Sequence, residues 1–237
     1  MEQDKILILG VSGSPKRGAT SRALRLSLDA AGQVPGVETA CIDLAGKRIH
    51  CCTGCNACRT RALDHCPVFQ DDFTDEYMSL YLRCDGILLA SPLYSMNPTG
   101  LLMNFLNRMR PSGGSRVPRG IAGMRMGGCI AVGGRRNGGQ DAALSAMNDA
   151  LQSTGTNVIG GGVYFYNGAA VWSRNDKNFD DPTGVLELEA LGRKVAWASK
   201  IVRAGLTALD GQVTAANCSG FLSDEQLSQA REQLGLS

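Results

Sequence analysis

Five short apolar runs, each followed by a stretch with helical spacing, restrict the fold of this chain more than any other feature. The runs at 5–10, 37–44, 86–90, 129–132 and 158–163 are aliphatic, short, and bounded by glycine, proline or charged residues. After them, 19–31, 72–83, 99–110, 139–153 and 184–204 carry apolar side chains three and four apart, such as Ala23, Leu24 and Leu28 in the first of these. Strands that are apolar on both faces and alternate with helices form parallel sheets covered on either side. The expected fold is therefore α/β, a doubly wound five-stranded parallel sheet in the order 2-1-3-4-5. In such a sheet a ligand lies beyond the carboxyl ends of strands one and three.

The 237 residues suit one domain over 1–205. It includes a polar, cysteine-rich insertion at 46–71 after strand two. A tail at 206–237 is expected to hold one short helix, marked by the capping-box spacing of Ser223 and Gln226 and by Gly235. The segments 111–125 and 164–182 read as loops. The balance of 24 basic against 22 acidic side chains leaves a net charge of +2, which argues against nucleic-acid or membrane-surface binding. No apolar run approaches the roughly 20 residues of a membrane span. The start MEQDKILILG lacks the layout of a signal peptide, so a cytoplasmic location is expected. Nine cysteines in such a chain point to metal or redox chemistry rather than a disulfide scaffold. Two histidines, His50 and His65, exclude His-rich metal sites.

Three loops leave the expected ligand edge. The first, Gly10-Val-Ser12-Gly13-Ser14-Pro-Lys16-Arg17-Gly18, opens a helix containing Thr20 and Ser21. Backbone amides at a helix N-terminus favour an anion, and these hydroxyls add donors, so the loop reads as a phosphate cradle; the alternative is a plain turn and cap. Gly13 and Gly18 have Walker A spacing, but Ala19 stands where its lysine would be. The second loop, Ser91-Pro92-Leu93-Tyr94-Ser95-Met96-Asn97, combines apolar surface with hydrogen-bonding groups, a mixture that suits a flat heterocycle. The third, Gly133-Gly134-Arg135-Arg136-Asn137-Gly138-Gly139, can bring backbone close to a ligand. Taken singly, each of these two also reads as an ordinary turn.

The run Cys52-x2-Cys55-x2-Cys58-x7-Cys66-Pro67 is the most specific motif. Three thiolates at two-residue gaps, a fourth ligand and a proline resemble the compact ferredoxin pattern for a [4Fe–4S] cluster. Zinc more often takes two separated C-x2-C knuckles. Zinc, a redox disulfide and no ligand stay open as alternatives, as does Cys51 in place of Cys52. Cys41, Cys84 and Cys129 lie in or beside apolar elements and are expected to be buried small hydrophobes. Cys218 suggests no role.

The GSP loop with Thr20 and Ser21, the SPLY loop followed by 102–108, and the GGRRNGG loop resemble the flavodoxin-like NAD(P)H-dependent FMN reductases over roughly residues 5–163. That resemblance implies that Ser12, Ser14, Lys16, Thr20 and Ser21 hold the FMN phosphate. It also implies that Pro92, Leu93, Tyr94, Ser95, Met96 and Asn97, with Gly133, Gly134, Arg135 and Gly138, border the isoalloxazine. With the cysteine run and the acidic pair Asp71-Asp72, the chain is similar to the iron–sulfur flavoproteins, which adds a [4Fe–4S] cluster on Cys52, Cys55, Cys58 and Cys66. In that family FMN and cluster exchange electrons, commonly across subunits of a homo-oligomer, here a dimer or tetramer.

The activity implied is an FMN-dependent oxidoreductase taking electrons from a donor such as ferredoxin and passing them to a small acceptor. The alternatives are an NAD(P)H-dependent FMN or quinone reductase without a working cluster, and a non-enzymatic flavin carrier with structural zinc. No residue is named as a general base. The basic Arg59 and Arg61 of the insertion would attract an acidic donor or ease reduction, or simply solvate the loop. Tyr164, Phe165, Tyr166, Trp172 and Phe179 are five of thirteen aromatics in the chain. This segment is expected to cover the flavin or meet a partner subunit, or else to pack on its own domain.

Overall fold

The computed structural model describes residues 5–61, 63, 65–109, 124–161, 165–174, 179–213, 228–229 and 232–233. Ser223, Gln226, Gly235, Cys218, Tyr164 and most of 111–125 lie outside the described residues. The core is a parallel sheet of β1 (Ile6–Ser12), β2 (Val37–Asp43), β3 (Gly86–Pro92), β4 (Met126–Gly133), β5 (Asn157–Val158) and β6 (Ala169–Trp172). The strands run in the order β2-β1-β3-β4-β5, with β6 also on β4, as the flavodoxin-like doubly wound topology requires. Every position of β1 and β4 is buried, because both faces of these central strands are covered.

One face is covered by α1 (Ala19–Gly32) and α6 (Pro182–Ala208), with Leu24, Leu28, Leu188 and Val195 packing on Ile6, Ile8 and Ile130. The other is covered by α3 (Asp75–Arg83), α4 (Gly100–Arg108) and α5 (Gln140–Gln152), with Tyr81, Phe105 and Leu144 packing on Leu7, Leu9 and Leu89. Alternate residues of β1 thus feed two separate cores, the period-two consequence of a two-faced strand.

Several expected boundaries move, each for a local reason. The fifth strand position is split. β5 pairs with the start of β4 (Met126 opposite Asn157) and β6 with its end (Ile130 opposite Ala169). The run 158–163 therefore contributes only its first residue to a described strand, and β6 replaces part of the expected loop 164–182. Gly160 and Gly161, both half-buried, lie in the excursion. β4 starts three residues before the expected strand. Its Gly127 and Gly128 read as a break in sequence, but a Cβ there would lie 2.6 Å from Thr156 Cγ2 and 2.7 Å from Leu191 Cδ1.

α3 begins at Asp75 because the Thr74 side chain accepts from the Tyr77 amide and ends the preceding coil. α6 begins at Pro182, capped by Asp181, whose carboxylate accepts from the Gly184 amide at 2.8 Å. It runs through Gly205, which costs about 1 kcal/mol in a helix without breaking it, and stops before Asp210 and Gly211, both at positive φ. Cys84 and Cys129 are buried as expected, but Cys41 is exposed: β2 is the edge strand, and its side chains are covered only in part.

Candidate functional site

The three loops that follow β1, β3 and β4 are fastened to one another. The Gly13 amide donates to Ala90 O at 2.7 Å, and the Thr99 hydroxyl donates to Gly13 O at 2.6 Å. Thr99 also caps α4, accepting from the Leu102 amide at 3.1 Å, while its own amide donates to Ser91 Oγ at 2.9 Å. Gly13 passes so close over α4 that a Cβ would lie 2.5 Å from Leu102 Cβ. Loop three is closed by Gln140, which accepts from the Gly138 amide at 2.8 Å and donates to Arg135 O at 2.7 Å. Gly139, at φ +94°, abuts loop two: a Cβ there would sit 2.6 Å from Met96 Cγ.

Loop one has the features an anion needs. Ser12, Ser14, Thr20 and Ser21 are all buried, with Ser12 and Ser21 hydroxyls 3.2 Å apart. Ser14 Oγ donates to Lys16 O at 2.5 Å and folds the loop over. Three of the long helices have a side-chain cap: Thr74 on α3, Thr99 on α4 and Asp181 on α6. α1 and α5 have none, their N-caps being Gly18 and Gly139, and of these two only α1 also lacks an acidic residue in its first turn. Its leading amides therefore lack that competitor for a phosphate. Arg17 points out to Asp43 at 3.5 Å, and Lys16 is exposed.

Loop two presents side chains outward. Tyr94 and Asn97 bond amide to carbonyl in both directions at 3.0 Å, and the two residues between them, Ser95 (φ +51°) and Met96 (φ +66°), are left-handed. Non-glycine residues in that region cost about 1–2 kcal/mol each, and such strain collects at functional turns. Tyr94 and Met96 stand 52% and 57% exposed at the turn, with Pro92 and Leu93 half-buried beneath them. Gly133 is buried at the end of β4, and Gly134 and Arg135 are exposed. The loops thus bring together an amide-rich cradle and an apolar edge, a combination that fits a phosphate-bearing flat heterocycle.

Beside this edge lies a cavity of ≈850 Å³ whose lining includes Met96, Gly139, Arg136, Trp172 and Glu187. Burial pushes the Glu187 carboxyl up, partly offset by the Ala170 amide that it accepts at 3.1 Å, and nearby Asp181 pushes it further. Trp172, from the aromatic segment singled out in the sequence, lines this cavity, whereas Glu187 was not legible as a site residue, because it stands on α6 and only the fold brings it to the Ala170 amide of β6. The aromatic segment divides: Phe165 enters the core, Tyr166 is 79% exposed, and Phe179 lies under Arg22 at 5.2 Å.

The cysteine insertion is fixed at its neck and open at its tip. Ile49 is buried, and the next residue meets Asp71: the His50 amide donates to Asp71 Oδ2 at 2.9 Å. Arg108 of α4 donates to the same carboxylate at 2.7 and 3.3 Å, and both side chains are 2% exposed. Burial pushes the Asp71 carboxyl up, yet hydrogen bonds from Arg108, the His50 and Phe73 amides and the His50 ring outweigh it and hold it down to about 2. Further out, Cys55 is exposed, and Cys52, Cys58 and Cys66 are half-buried. Cys58 lies in α2 (Ala57–Thr60), a helical turn inside the insertion.

The Cys52 sulfur accepts from the Gly54 amide at 3.4 Å, an interaction that suits a thiolate ligand, whereas exposed Cys51 turns its Sγ to Cys52 O at 3.6 Å. The donor set has the chemistry of a cluster site. Its geometry is not gathered: among the described residues, no three His, Cys, Asp or Glu side chains converge as metal ligands.

The profile of a family described as "NADPH-dependent FMN reductase" matches residues 6–170. An iron–sulfur flavoprotein of Methanocaldococcus jannaschii is 31% identical over 199 residues, covering 83% of this chain and 98% of the relative. One from Methanosarcina thermophila is 27% identical over 197 residues, 83% of this chain and 96% of the relative. A solved structure described as a flavone reductase superposes with a TM-score of 0.61 at 19% identity, covering 84% of this chain and 64% of that one, a likeness of fold.

Proposed function

The chain belongs to the NADPH-dependent FMN reductase family and, within it, to the iron–sulfur flavoproteins, and from that premise we propose that the three fastened loops hold FMN while the cysteine insertion holds a [4Fe–4S] cluster. The protein is an FMN-dependent oxidoreductase. Bound FMN supplies transfer of electrons singly or in pairs, and a bound cluster supplies one-electron storage.

The chain's own residues then have separate tasks. Ser12, Ser14, Thr20, Ser21 and the leading amides of α1 hold the phosphate dianion, with Lys16 adding charge from the rim. Thr99 keeps loop one at a fixed height over α4. The left-handed turn at Ser95 and Met96, with Pro92, Leu93, Tyr94 and Asn97, borders one edge of the ring, and Gly133, Gly134, Arg135 and Gly138 let backbone approach the other. The cavity next to Met96 and Trp172 admits a small acceptor and excludes bulk water from the ring edge. Cys52, Cys55, Cys58 and Cys66 would hold the cluster. The electron source in this reading is a small one-electron carrier such as ferredoxin, and the assembly is a dimer or tetramer. The exposed Trp197 and Ile201, one turn apart on α6, support self-association.

The observation that carries the flavin part is the first turn of α1, with neither a side-chain cap nor an acidic residue, beside four buried hydroxyls. One observation favours a second reading, an NAD(P)H-dependent reductase without a working cluster: among the described residues the thiols do not converge as metal ligands. Anaerobic purification with flavin, iron and acid-labile sulfide measured together decides between them. Stoichiometric FMN with about four iron and four sulfide per chain, and flavin bleaching by reduced ferredoxin but not by NADPH, is the expected result. FMN alone, bleached rapidly by NADPH, establishes the second reading; zinc without iron or sulfide makes the cysteines structural.

A further inference from the structure

The contacts at the neck of the insertion do more than close a loop. Asn104 and Arg108 are four residues apart and share one face of α4. Asn104 Nδ2 donates to Ile49 O at 2.9 Å, and Arg108 NH1 donates to His50 O at 3.3 Å, so both reach the outgoing limb. The Arg108 fork also holds Asp71 on the returning limb. The rings of Phe69 and Phe73 each stand 5.1 Å from the guanidinium carbon and shield it from water.

A buried ion pair of this kind adds little net stability over apolar packing, but it tolerates few alternative geometries. Among the described residues, Arg108 Nε is buried without a hydrogen-bond partner. Arg108, Phe69 and Asp71 line a cavity of ≈200 Å³ together with Cys66 and His65.

We propose that Arg108 is a positioning residue for the cysteine insertion, clamping both of its limbs to α4 and keeping one buried donor for an acceptor brought up by the Cys66 limb. α4 becomes a strut with two loads. Its first residue follows Thr99, which holds loop one, and its last described helical residue is the clamp, about 12 Å from that first residue at 1.5 Å per residue. The insertion is therefore set at a fixed height relative to the flavin loops. The clamp stands on hydrogen bonds within the chain; only the role of the spare donor rests on the cluster reading, where the acceptor is a sulfur.

Metal-free Arg108→Gln is expected to bind FMN as the parent does, while trypsin cuts after Arg61 about tenfold faster. Arg108→Lys should match it, because one ammonium cannot reach both limbs as a planar fork does. After anaerobic loading with iron and sulfide, both variants should release iron to a chelator about 10- to 100-fold faster than the parent. Their iron centre should also have a lower midpoint potential, whereas Asn104→Ala should loosen the loop slightly and keep the parental potential.

Unchanged cleavage and iron release with FMN retained overturn the clamp, and an unchanged potential overturns the spare donor. Should both Arg108 variants lose FMN, Asn104→Ala alone decides, by whether cleavage after Arg61 accelerates. A parent that takes up no iron ends the cluster reading, and cleavage of the metal-free variants still decides the clamp.

Discussion

The three loops proposed to hold flavin and the insertion proposed to hold a cluster are built on opposite plans. Each flavin loop leaves a buried central strand and is tied to its neighbour within a residue or two, as Gly13 is to Ala90 and Thr99, and Gly139 is to Met96. Its shape exists before any ligand arrives. The insertion is anchored at its neck, chiefly by Asp71 and Arg108, and beyond it lie half-buried or exposed thiols that, among the described residues, do not converge as metal ligands. The first region supplies preorganisation; the second supplies donor chemistry, and its ligand must supply the geometry. Binding energy that orders its own site is partly consumed in doing so, so the two cofactors should differ in how readily they are lost.

The sharpest way to break that comparison is Cys58→Ser. Iron and sulfide should fall to background while FMN content stays at the parental level; joint loss of flavin and iron would make the two sites one. Next in size, Gly13→Val drives a side chain into Leu102 and should cost about 3 kcal/mol, read as a lower denaturation midpoint and weaker FMN binding, with loaded iron unaffected.

The neck should be sensitive to acid. Asp71 is held to about 2 against an ordinary 3.8. A carboxyl whose pKa is lower in the folded state contributes stability that is fully present above the unfolded value and lost as pH falls through the folded one. Roughly 2 kcal/mol should therefore disappear between about pH 4 and pH 2, and Asp71→Asn should flatten that part of a denaturation profile. Thr99→Val removes a cap and the bond to Gly13 O, for about 1–2 kcal/mol and a measurable loss of FMN affinity by fluorescence titration. At the bottom of the scale, Arg17→Ala breaks a pair that is 81% exposed on the arginine side, and stability should change by less than about 0.5 kcal/mol.

Sequence resolves the two regions unequally, for physical reasons. The strands and the order of the three loops are legible because continuous aliphatic runs and small-residue turns are local signals; Gly13, Ser14 and Thr20 announce themselves. What fastens the loops is not local. Thr99 reads only as the start of a helix, Gln140 as an ordinary helical polar residue, and neither shows in sequence that it holds a distant carbonyl or amide. Arg108 is harder still. A cation at the end of a helix is normally solvated, and only its position four residues after Asn104, on a helix followed back to a buried neck, exposes its burial. The cysteines are the reverse case: their spacing names the chemistry plainly, while the coordinates they adopt depend on what binds. The split fifth strand escaped because Ala169–Trp172 is four residues long, too short for alternation to identify it.

That split has a consequence for how such a protein can vary. β4 keeps two separate short partners along one edge, β5 at its foot and β6 at its head, with the described residues 159–161 and 165–168 outside both strands. A chain that exits and re-enters the same edge can lengthen or shorten that detour without disturbing the register of either piece or the loops above β4. The detour is a natural splice point: lineages can graft new surface there, beside the opening of the site, while the buried strands that carry the chemistry stay untouched.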